Sequence, residues 1–217
     1  MTEHEYEPTP GLPAHLPEGE AILWQGAPDW MTFARRAMRA RVVSAYFALL
    51  MVWGVASGVS DGAAFSAVAI STARLAGLAI IAVGLLALFA WLVARTTLYT
   101  ITSRRVVMRF GIALPVTLQI PYVRIDTAAL HAWPNGAGDI ALTLAAGERA
   151  AYLVLWPHAR PWTLARAQPS LRCVPDAADV ARVLGRALAA SASQPARAVA
   201  TPVSGDSGER APMPAAA

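Results

Sequence analysis

The sequence predicts an α+β membrane protein, in which a two-helix transmembrane hairpin is followed by a small β-rich domain closed by a C-terminal helix. Three observations predict this fold class. Two long runs without charged side chains lie between residues 42 and 94. Arginines cluster before the first run and after the second, and beyond residue 95 apolar and polar residues alternate. Uncharged runs of this length are typical of membrane spans, and alternation is typical of strands.

The two apolar runs cover residues 42–60 and 75–94 and contain no charged residue. At ~1.5 Å per residue each helix reaches the ~30 Å of a bilayer's hydrocarbon core. Asp61 and Arg74 both fall in the predicted connection, residues 61–74, which avoids the ~2.5–3.5 kcal/mol cost of a charge at a helix centre. The first run follows a polar segment without a small-residue cleavage site, so we expect an anchor and no cleaved signal peptide.

The distribution of arginine predicts the orientation of the hairpin. The arginines that precede the first run or follow the second are Arg35, Arg36, Arg39, Arg41, Arg95, Arg104, Arg105 and Arg109. The connection carries only Arg74. By the positive-inside rule, both termini are expected in the cytoplasm and the connection in the periplasm of a bacterial inner membrane.

The composition excludes several classes of protein. All 18 basic residues are arginine, and the net charge is +4. Attraction of the arginines to an anionic membrane leaflet explains this positive charge, so nucleic-acid binding is not needed to explain it. The single cysteine, Cys173, excludes an internal disulfide and forms no metal-spaced cluster. No catalytic triad, carboxylate pair or phosphate-binding glycine loop is recognisable. We therefore expect a protein that is not an enzyme and that holds no cofactor or metal.

The N-terminal segment, residues 1–29, is predicted to lie in the cytoplasm. Its first 17 residues are rich in proline and glutamate and are predicted to be loosely ordered. An apolar cluster that includes Trp24 then indicates a strand or tight turn. Asp29 is placed to cap a helix over residues 30–41, with Trp30, Phe33 and other apolar residues on one face and arginines on the other. Such a helix can lie in the headgroup region.

The domain over residues 95–190 is predicted as six short strands and one helix. The strands cover residues 97–101, 105–110, 115–120, 123–130, 139–144 and 151–155. A Trp/Pro/Arg-rich insert, residues 156–172, cannot continue a strand or a helix for long. Residues 175–190 have helical spacing, and residues 191–217 have the composition of a disordered tail.

The segment YTITSRRVVMRFGI, followed by IPYVRID, resembles the bacterial pleckstrin-homology-like (PH-like) domain over residues 96–190. The positions that carry this resemblance are Tyr99, Thr102, Arg104, Arg105, Gly111, Pro121 and Ile125. It implies a PH-like β-barrel or meander closed by the C-terminal helix.

Two further stretches, LPEGEAILWQGAPDW at residues 16–30 and YLVLWPHARPWTLARAQPSLRCVPDAADV at residues 152–180, look like the photosynthetic complex assembly proteins of purple bacteria, the PuhB family. The similarity covers nearly the whole chain except the tail. It implies a membrane-bound assembly factor for the photosynthetic reaction centre, and through it for the core light-harvesting antenna (light-harvesting complex 1). The implied partners are reaction-centre subunits, the antenna and membrane lipids.

The insert supplies the candidate interaction residues, because Trp and Arg are frequent interface anchors. These candidates are Trp156, Arg160, Trp162 and Arg166, together with Trp24 and Trp30 from the N-terminal segment. The alternative is that the tryptophans cap an open edge of the domain. The lone histidines His131 and His158 are expected to be structural, without a pigment ligated to either.

Small residues in the two runs are candidates for close helix packing. Gly54 and Gly58 have GxxxG spacing, and Gly77 and Gly84 share one face of the second run. Packing within the hairpin is the favoured interpretation, and a homodimer or partner-helix seam is the alternative.

Two other functions remain open at this point. A membrane-tethered PH-like lipid or peptide sensor needs a basic patch, for which Arg104, Arg105, Arg109 and Arg124 are candidates. A small transporter subunit or membrane enzyme is disfavoured, because neither apolar run carries the intramembrane charge that transport pathways require.

Overall fold

The computed structural model describes residues 12, 15–145, 151–161 and 167–193. The strands are β1 (Ile22–Gly26), β2 (Leu98–Thr102), β3 (Arg105–Phe110), β4 (Val116–Pro121), β5 (Ile125–Ala132), β6 (Gly138–Leu144) and β7 (Ser170–Val174). The helices are α1 (Trp30–Thr32), α2 (Ala40–Ser60), α3 (Phe65–Thr96), α4 (Tyr152–Leu155) and α5 (Ala177–Ala192), with a π-helical turn at Phe33–Ala37 and a 3-10 turn at Tyr122–Arg124.

Helices α2 and α3 form the predicted hairpin, and both are long and apolar enough to cross a membrane. The connection is shorter than predicted, because α3 begins at Phe65 and only residues 61–64 link the two helices. Arg74 therefore lies inside α3 and is exposed there. Residues 65–74 contain no Pro or Gly to stop a helix, and a long arginine side chain near a membrane surface can extend towards water.

The predicted helix over residues 30–41 is instead two pieces. Asp29 caps α1 as expected, since the Thr32 amide donates to Asp29 Oδ2 at 2.9 Å. The π-helical turn then ends at a break where Arg39 has a left-handed backbone (φ 52°). Phe33 is completely buried and packs against Ala90 and Val93 of α3, so this segment is anchored in the protein.

The first sheet has the strand order β1-β2-β3-β4, with antiparallel pairing throughout. Strand β1 comes from before the hairpin, so the N-terminal segment completes the domain that follows the hairpin. A bidentate ion pair fixes this connection: Arg105 Nε and Nη2 lie 2.9 and 3.0 Å from the two carboxylate oxygens of Glu20. The strand-or-turn prediction around Trp24 is confirmed as a strand.

The second sheet has the order β5-β6-β7 and corrects two predictions. Residues 151–155 were expected to be a strand, but residues 152–155 form α4. The strand that completes this sheet is β7, which begins inside the predicted irregular insert. All five residues of β7 are buried, including the polar Ser170 and Arg172. The segment SLRCV alternates over only four positions, too few to stand out beside the prolines that precede it.

The core lies between the two sheets and α5, which contributes Val180, Leu184 and Ala187. Among the described strands, the two sheets remain separate and do not close the predicted barrel. Helix α5 confirms the predicted C-terminal helix and continues to Ala192. The rest of the predicted disordered tail, from residue 194 onwards, lies outside the described residues.

Candidate interaction site

The candidate site lies at the base of the hairpin, where α2 begins and α3 ends against the domain. Phe33 packs there with Ala90 and Val93 of α3 and with Cys173 of β7. Because the last turns of α3 are buried in this cluster, the membrane helix and the sheet meet through a packed apolar contact. Groups at this junction therefore have fixed positions relative to the hairpin.

His158 lies below the junction in a closed polar cluster. Its Nδ1 is 2.7 Å from the hydroxyl of Tyr99, and its Nε2 is 3.2 Å from the hydroxyl of Thr97. The rings of Phe33 and Phe110 cover it, with centroids at 6.0 and 4.9 Å. Burial, followed by the nearby positive charge of Arg172, lowers the pKa of His158 to about 3, so the imidazole is neutral at physiological pH. The expected structural role of His158 is confirmed.

Arg172 is the buried cation of the cluster, with about 8% of its surface exposed. Its Nε lies 3.3 Å from Asp139 Oδ2 but has no hydrogen-bond partner, and its Nη1 makes only a long 3.4 Å bond to the Pro157 carbonyl. The other Asp139 oxygen, Oδ1, accepts a bond from the Cys173 amide. Arg172 is therefore paired with one carboxylate that is also engaged elsewhere. The thiol of Cys173 is inert, because burial raises its pKa.

Above this cluster is a cavity of ≈ 280 Å³, which we call the arginine cavity. Residues that line it include Arg36, Met38, Arg39, Tyr152, Trp156 and Arg172. Arg36 and Arg39 come from the segment just before α2, whereas Arg172 comes from β7. Three arginines from two distant parts of the chain thus line one space. The guanidinium carbon of Arg36 also lies 5.6 Å from the centroid of the Trp133 ring.

A second cavity of ≈ 140 Å³, the apolar cleft, lies on the other side of Trp156. Its lining includes Phe89, Val93, Phe110 and Ile112, and it shares Trp156 and Pro157 with the arginine cavity. The indole of Trp156 is half exposed and lies against the ring of Phe89, with centroids 5.7 Å apart and planes at 30°. Trp156 is thus held by α3 at the boundary between a cationic and an apolar space.

The predicted interaction residues have different positions in the structure. Trp156 lines both cavities, and Arg160 is exposed nearby and bonds to Gln168 at 3.0 Å. Trp162 and Arg166 lie outside the described residues. Trp24 packs against the main core and Trp30 is partly exposed, but neither lines the two cavities.

The four glycines predicted to pack helices closely also have different surroundings in the structure. A Cβ on Gly58 would lie 2.7 Å from a Val68 methyl group, so this glycine permits the close approach of α2 and α3. Gly54, Gly77 and Gly84 have no described atom within 4 Å of such a position. They do not contribute to packing within the hairpin, and the partner-helix interpretation remains a prediction for them.

The basic patch expected for a lipid or peptide sensor is only partly available. Arg105 is held by Glu20 and also donates to Gln119 at 2.6 Å, and Arg104 bonds to the Glu18 carbonyl at 3.4 Å. The arginines of the cavity are different ones. Arg36 and Arg39 were recognised in the sequence only as membrane-flanking charges, and no signal in the sequence shows that Arg172 is buried beside them.

The titratable His and Cys side chains beside this site are enclosed. His158 has both ring nitrogens engaged and is covered by aromatic rings, and Cys173 is buried as a thiol. Within the described ranges, no group of three or more His, Cys, Asp or Glu is arranged to hold a metal ion. The site offers guanidinium groups, an indole and apolar walls, which suit an anionic and apolar partner.

Comparison with known proteins gives one family and one long relative. A family model described as "Bacterial PH domain" matches residues 42–188. A protein of Rhodobacter capsulatus, described as "Uncharacterized 23.7 kDa protein in puhA 5'region", is 40% identical over 208 residues, which are 94% of this chain and 97% of the relative. No solved structure matches the chain.

Proposed function

The chain belongs to the bacterial PH domain family, and on that premise we propose that it is a membrane-bound assembly factor for the photosynthetic reaction centre and its core antenna. The observation that carries the proposal is the relative, which is similar over almost its whole length and is described by its position next to puhA, a photosynthesis gene. Shared length and identity at this level favour a shared role. The factor acts by binding subunits and not by catalysis.

The structure supplies two surfaces for this role. The hairpin presents apolar side chains and the open positions at Gly54, Gly77 and Gly84 to its surroundings, where a transmembrane helix of a subunit can pack. The base of the hairpin presents Trp156 and the arginines, where the cytoplasmic face of the same subunit can dock. Aromatic and arginine side chains at the centre of an interface contribute most of its binding energy.

The proposed orientation places the domain and both termini in the cytoplasm. The juxtamembrane arginines support this assignment. The lengths of helix between flanking polar and aromatic residues are close to the ~30 Å thickness of a bilayer's hydrocarbon core. Arg41 and Asp61 are 20 positions apart, or ~30 Å of helix, and Arg74 and Trp91 are 17 positions apart, or ~26 Å. Arg95 also lies 5.0 Å from the ring of Trp91, a pairing suited to a membrane surface.

The test begins with deletion of the gene in cells grown photosynthetically. We expect reaction-centre abundance to fall while pigment synthesis continues, and loss of pigment synthesis itself would contradict the proposal. A tagged chain should also co-purify with reaction-centre subunits from the same membranes. Failure to recover any of them after mild solubilisation and cross-linking would contradict direct binding.

A single substitution tests the docking surface. Trp156→Ala should reduce the recovery of subunits by roughly thirtyfold, the equivalent of ~2 kcal/mol for an interface anchor. Val123→Ala is the matched control, since Val123 is 86% exposed but lies beside the β2–β3 turn, at the far end of the sheet from the hairpin. Equal recovery with both variants would show that the subunits bind elsewhere.

A further inference from the structure

We propose that the loop between β3 and β4, residues 111–115, lies in the interfacial layer of the bilayer, with Ile112 and Leu114 in contact with the lipid chains. This inference rests on the membrane insertion of the hairpin, which the proposed function also requires, but on no contact with the reaction centre. The contact involves no headgroup site and no particular lipid. It gives the domain a third attachment to the membrane, besides the start of α2 and the end of α3.

The loop has an unusual composition for a connection between two strands. Its sequence is GIALP, without a polar or charged side chain, whereas connections that face water are usually polar. In the structure Leu114 is 80% exposed and Ile112 is 41% exposed. Single exposed apolar residues are common on protein surfaces. Two large ones within a loop of five residues instead indicate a surface that is covered.

The backbone keeps these two side chains outside the core. Gly111 has φ +125°, and a side chain on it would collide with the backbone carbonyl of Leu114, so the chain turns closely on itself here. Phe110 and Val116 form the last pair of the β3–β4 ladder before the loop. Phe110 is buried in the main core, whereas Ile112 and Leu114 remain exposed beyond it. The tight turn therefore presents them to the surroundings.

The topology places the loop at the end of the first sheet that meets the hairpin. Helix α3 ends at Thr96, and β2 begins two residues later, at Leu98. Leu98 pairs with Arg109 of β3, one residue before that strand ends at Phe110. The loop therefore leaves β3 beside the end of α3, and the β2–β3 turn lies at the opposite end of the sheet.

The height of the loop agrees with the interfacial layer. Ile112 lines the apolar cleft with Phe89 and Val93, which lie seven and three positions before the end of α3. The loop therefore lies beside the last ~10 Å of this helix. The same stretch of α3 carries Trp91 with Arg95 beside its ring, residues typical of a membrane surface. Apolar side chains at this height reach the boundary between headgroups and lipid chains, where interfacial segments bury their apolar face.

The test measures the surroundings of a fluorescent label in the full chain, reconstituted into nanodiscs of zwitterionic lipid. Ala113→Cys carries the environment-sensitive dye NBD between the two apolar side chains, and the native Cys173 is buried, which protects it from the label. We expect a shift of emission to shorter wavelength, loss of intensity with lipids that carry a doxyl quencher high on an acyl chain, and protection from aqueous iodide. Val123→Cys is the matched control, because Val123 is 86% exposed at the far end of the sheet, and its label should show the reverse.

Two outcomes would overturn the inference. Iodide quenching at Ala113→Cys equal to that at Val123→Cys would place the loop in water. Protection from iodide without doxyl quenching would show that the label is covered by protein.

A third label separates the loop from the hairpin. Leu85→Cys lies near the middle of α3 at an exposed position, and a doxyl group deep in the acyl chains should quench its label. Absence of that quenching would contradict the membrane insertion that the proposed function also requires. Doxyl quenching at Leu85→Cys but not at Ala113→Cys would overturn the loop contact alone. The assay contains no reaction-centre subunit, so this result leaves the co-purification experiment unaffected.

Paired double variants test the two apolar side chains. Ile112→Gln/Leu114→Gln, combined with the label at residue 113, should abolish doxyl quenching and make the label accessible to iodide. Ile22→Gln/Leu23→Gln also removes two partly exposed apolar side chains, but from β1, where Ile22 pairs with Thr102 at the far end of β2. This control should leave the label unchanged. Equal effects of the two variants, or none in either, would overturn the proposal.

Discussion

The burial of His158 predicts how the stability of the domain depends on pH. The unfolded imidazole has a pKa near 6.5, whereas in the folded protein burial lowers the pKa of His158 to about 3. The unfolded state therefore binds a proton that the folded state excludes, and stability falls as the pH decreases below the unfolded pKa. The groups around the ring are Tyr99 and Thr97, which bond to it, and the cation Arg172.

The magnitude follows from the two pKa values. Between about pH 7 and about pH 5, the unfolded imidazole becomes almost fully protonated and the folded one takes up almost no proton. The difference removes ~2 kcal/mol of unfolding free energy. This figure is nearly independent of the folded pKa, provided that it lies below about 4, because the loss in this range is set by the unfolded state.

The assay is urea unfolding of the full chain in neutral micelles at the two pH values. His158→Gln should remove most of the loss between them, since Gln carries no titrating proton. His131→Gln is the matched control for the substitution itself, because His131 is an exposed histidine on β5. The reasoning is refuted if the wild type loses less than ~0.5 kcal/mol or if His158→Gln retains the full loss.

The other three predictions concern one ion pair and two glycines. Glu20→Gln removes the charge from the partly buried pair with Arg105 and should destabilise the domain by ~1–2 kcal/mol. Glu18→Gln, at an exposed position, should change stability by less than ~0.5 kcal/mol in the same urea assay. Gly111 has φ +125° and a Cβ there would lie 2.1 Å from a backbone carbonyl oxygen, so Gly111→Ala should cost at least ~2 kcal/mol. Gly185 lies in the middle of α5, and a Cβ there would meet no described atom within 4 Å. Gly185→Ala should therefore stabilise the domain by ~0.5–1 kcal/mol and raise its thermal midpoint, because glycine loses more backbone entropy than alanine in a helix. A midpoint change of the opposite sign in either glycine variant would contradict this account.

Local patterns identified most elements of the fold. The apolar runs gave the hairpin, and the alternating segment at residues 105–110 coincides with β3, residue for residue. The wrong prediction at residues 151–155 has a local cause: YLVL is apolar throughout, and a short apolar run does not distinguish a strand from a helical turn. The early start of α3 has a different cause, since one arginine does not stop a helix.

The candidate site shows a similar division. Trp156 was recognised from the composition of its segment, because tryptophan and arginine are typical interface residues. The cavity beside it was not, since Arg36 and Arg172 are far apart in the sequence and become neighbours only when the π-helical turn packs against β7. The arginines at 104, 105, 109 and 124 suggested a different patch. In the structure Arg105 is paired with the Glu20 carboxylate, and Arg104 donates to the backbone carbonyl of Glu18.

The sequence by itself determined that this chain has two membrane-length apolar helices, a β-rich domain after them and a C-terminal helix, because hydrophobic period and run length are local properties of the chain. Only the tertiary structure decided that β1 joins a sheet formed after the hairpin, that a wholly buried β7 completes the second sheet, and that three arginines share one cavity. These features depend on pairings across long stretches of sequence, where burial and charge are set by the partner residue and not by the neighbours in the chain.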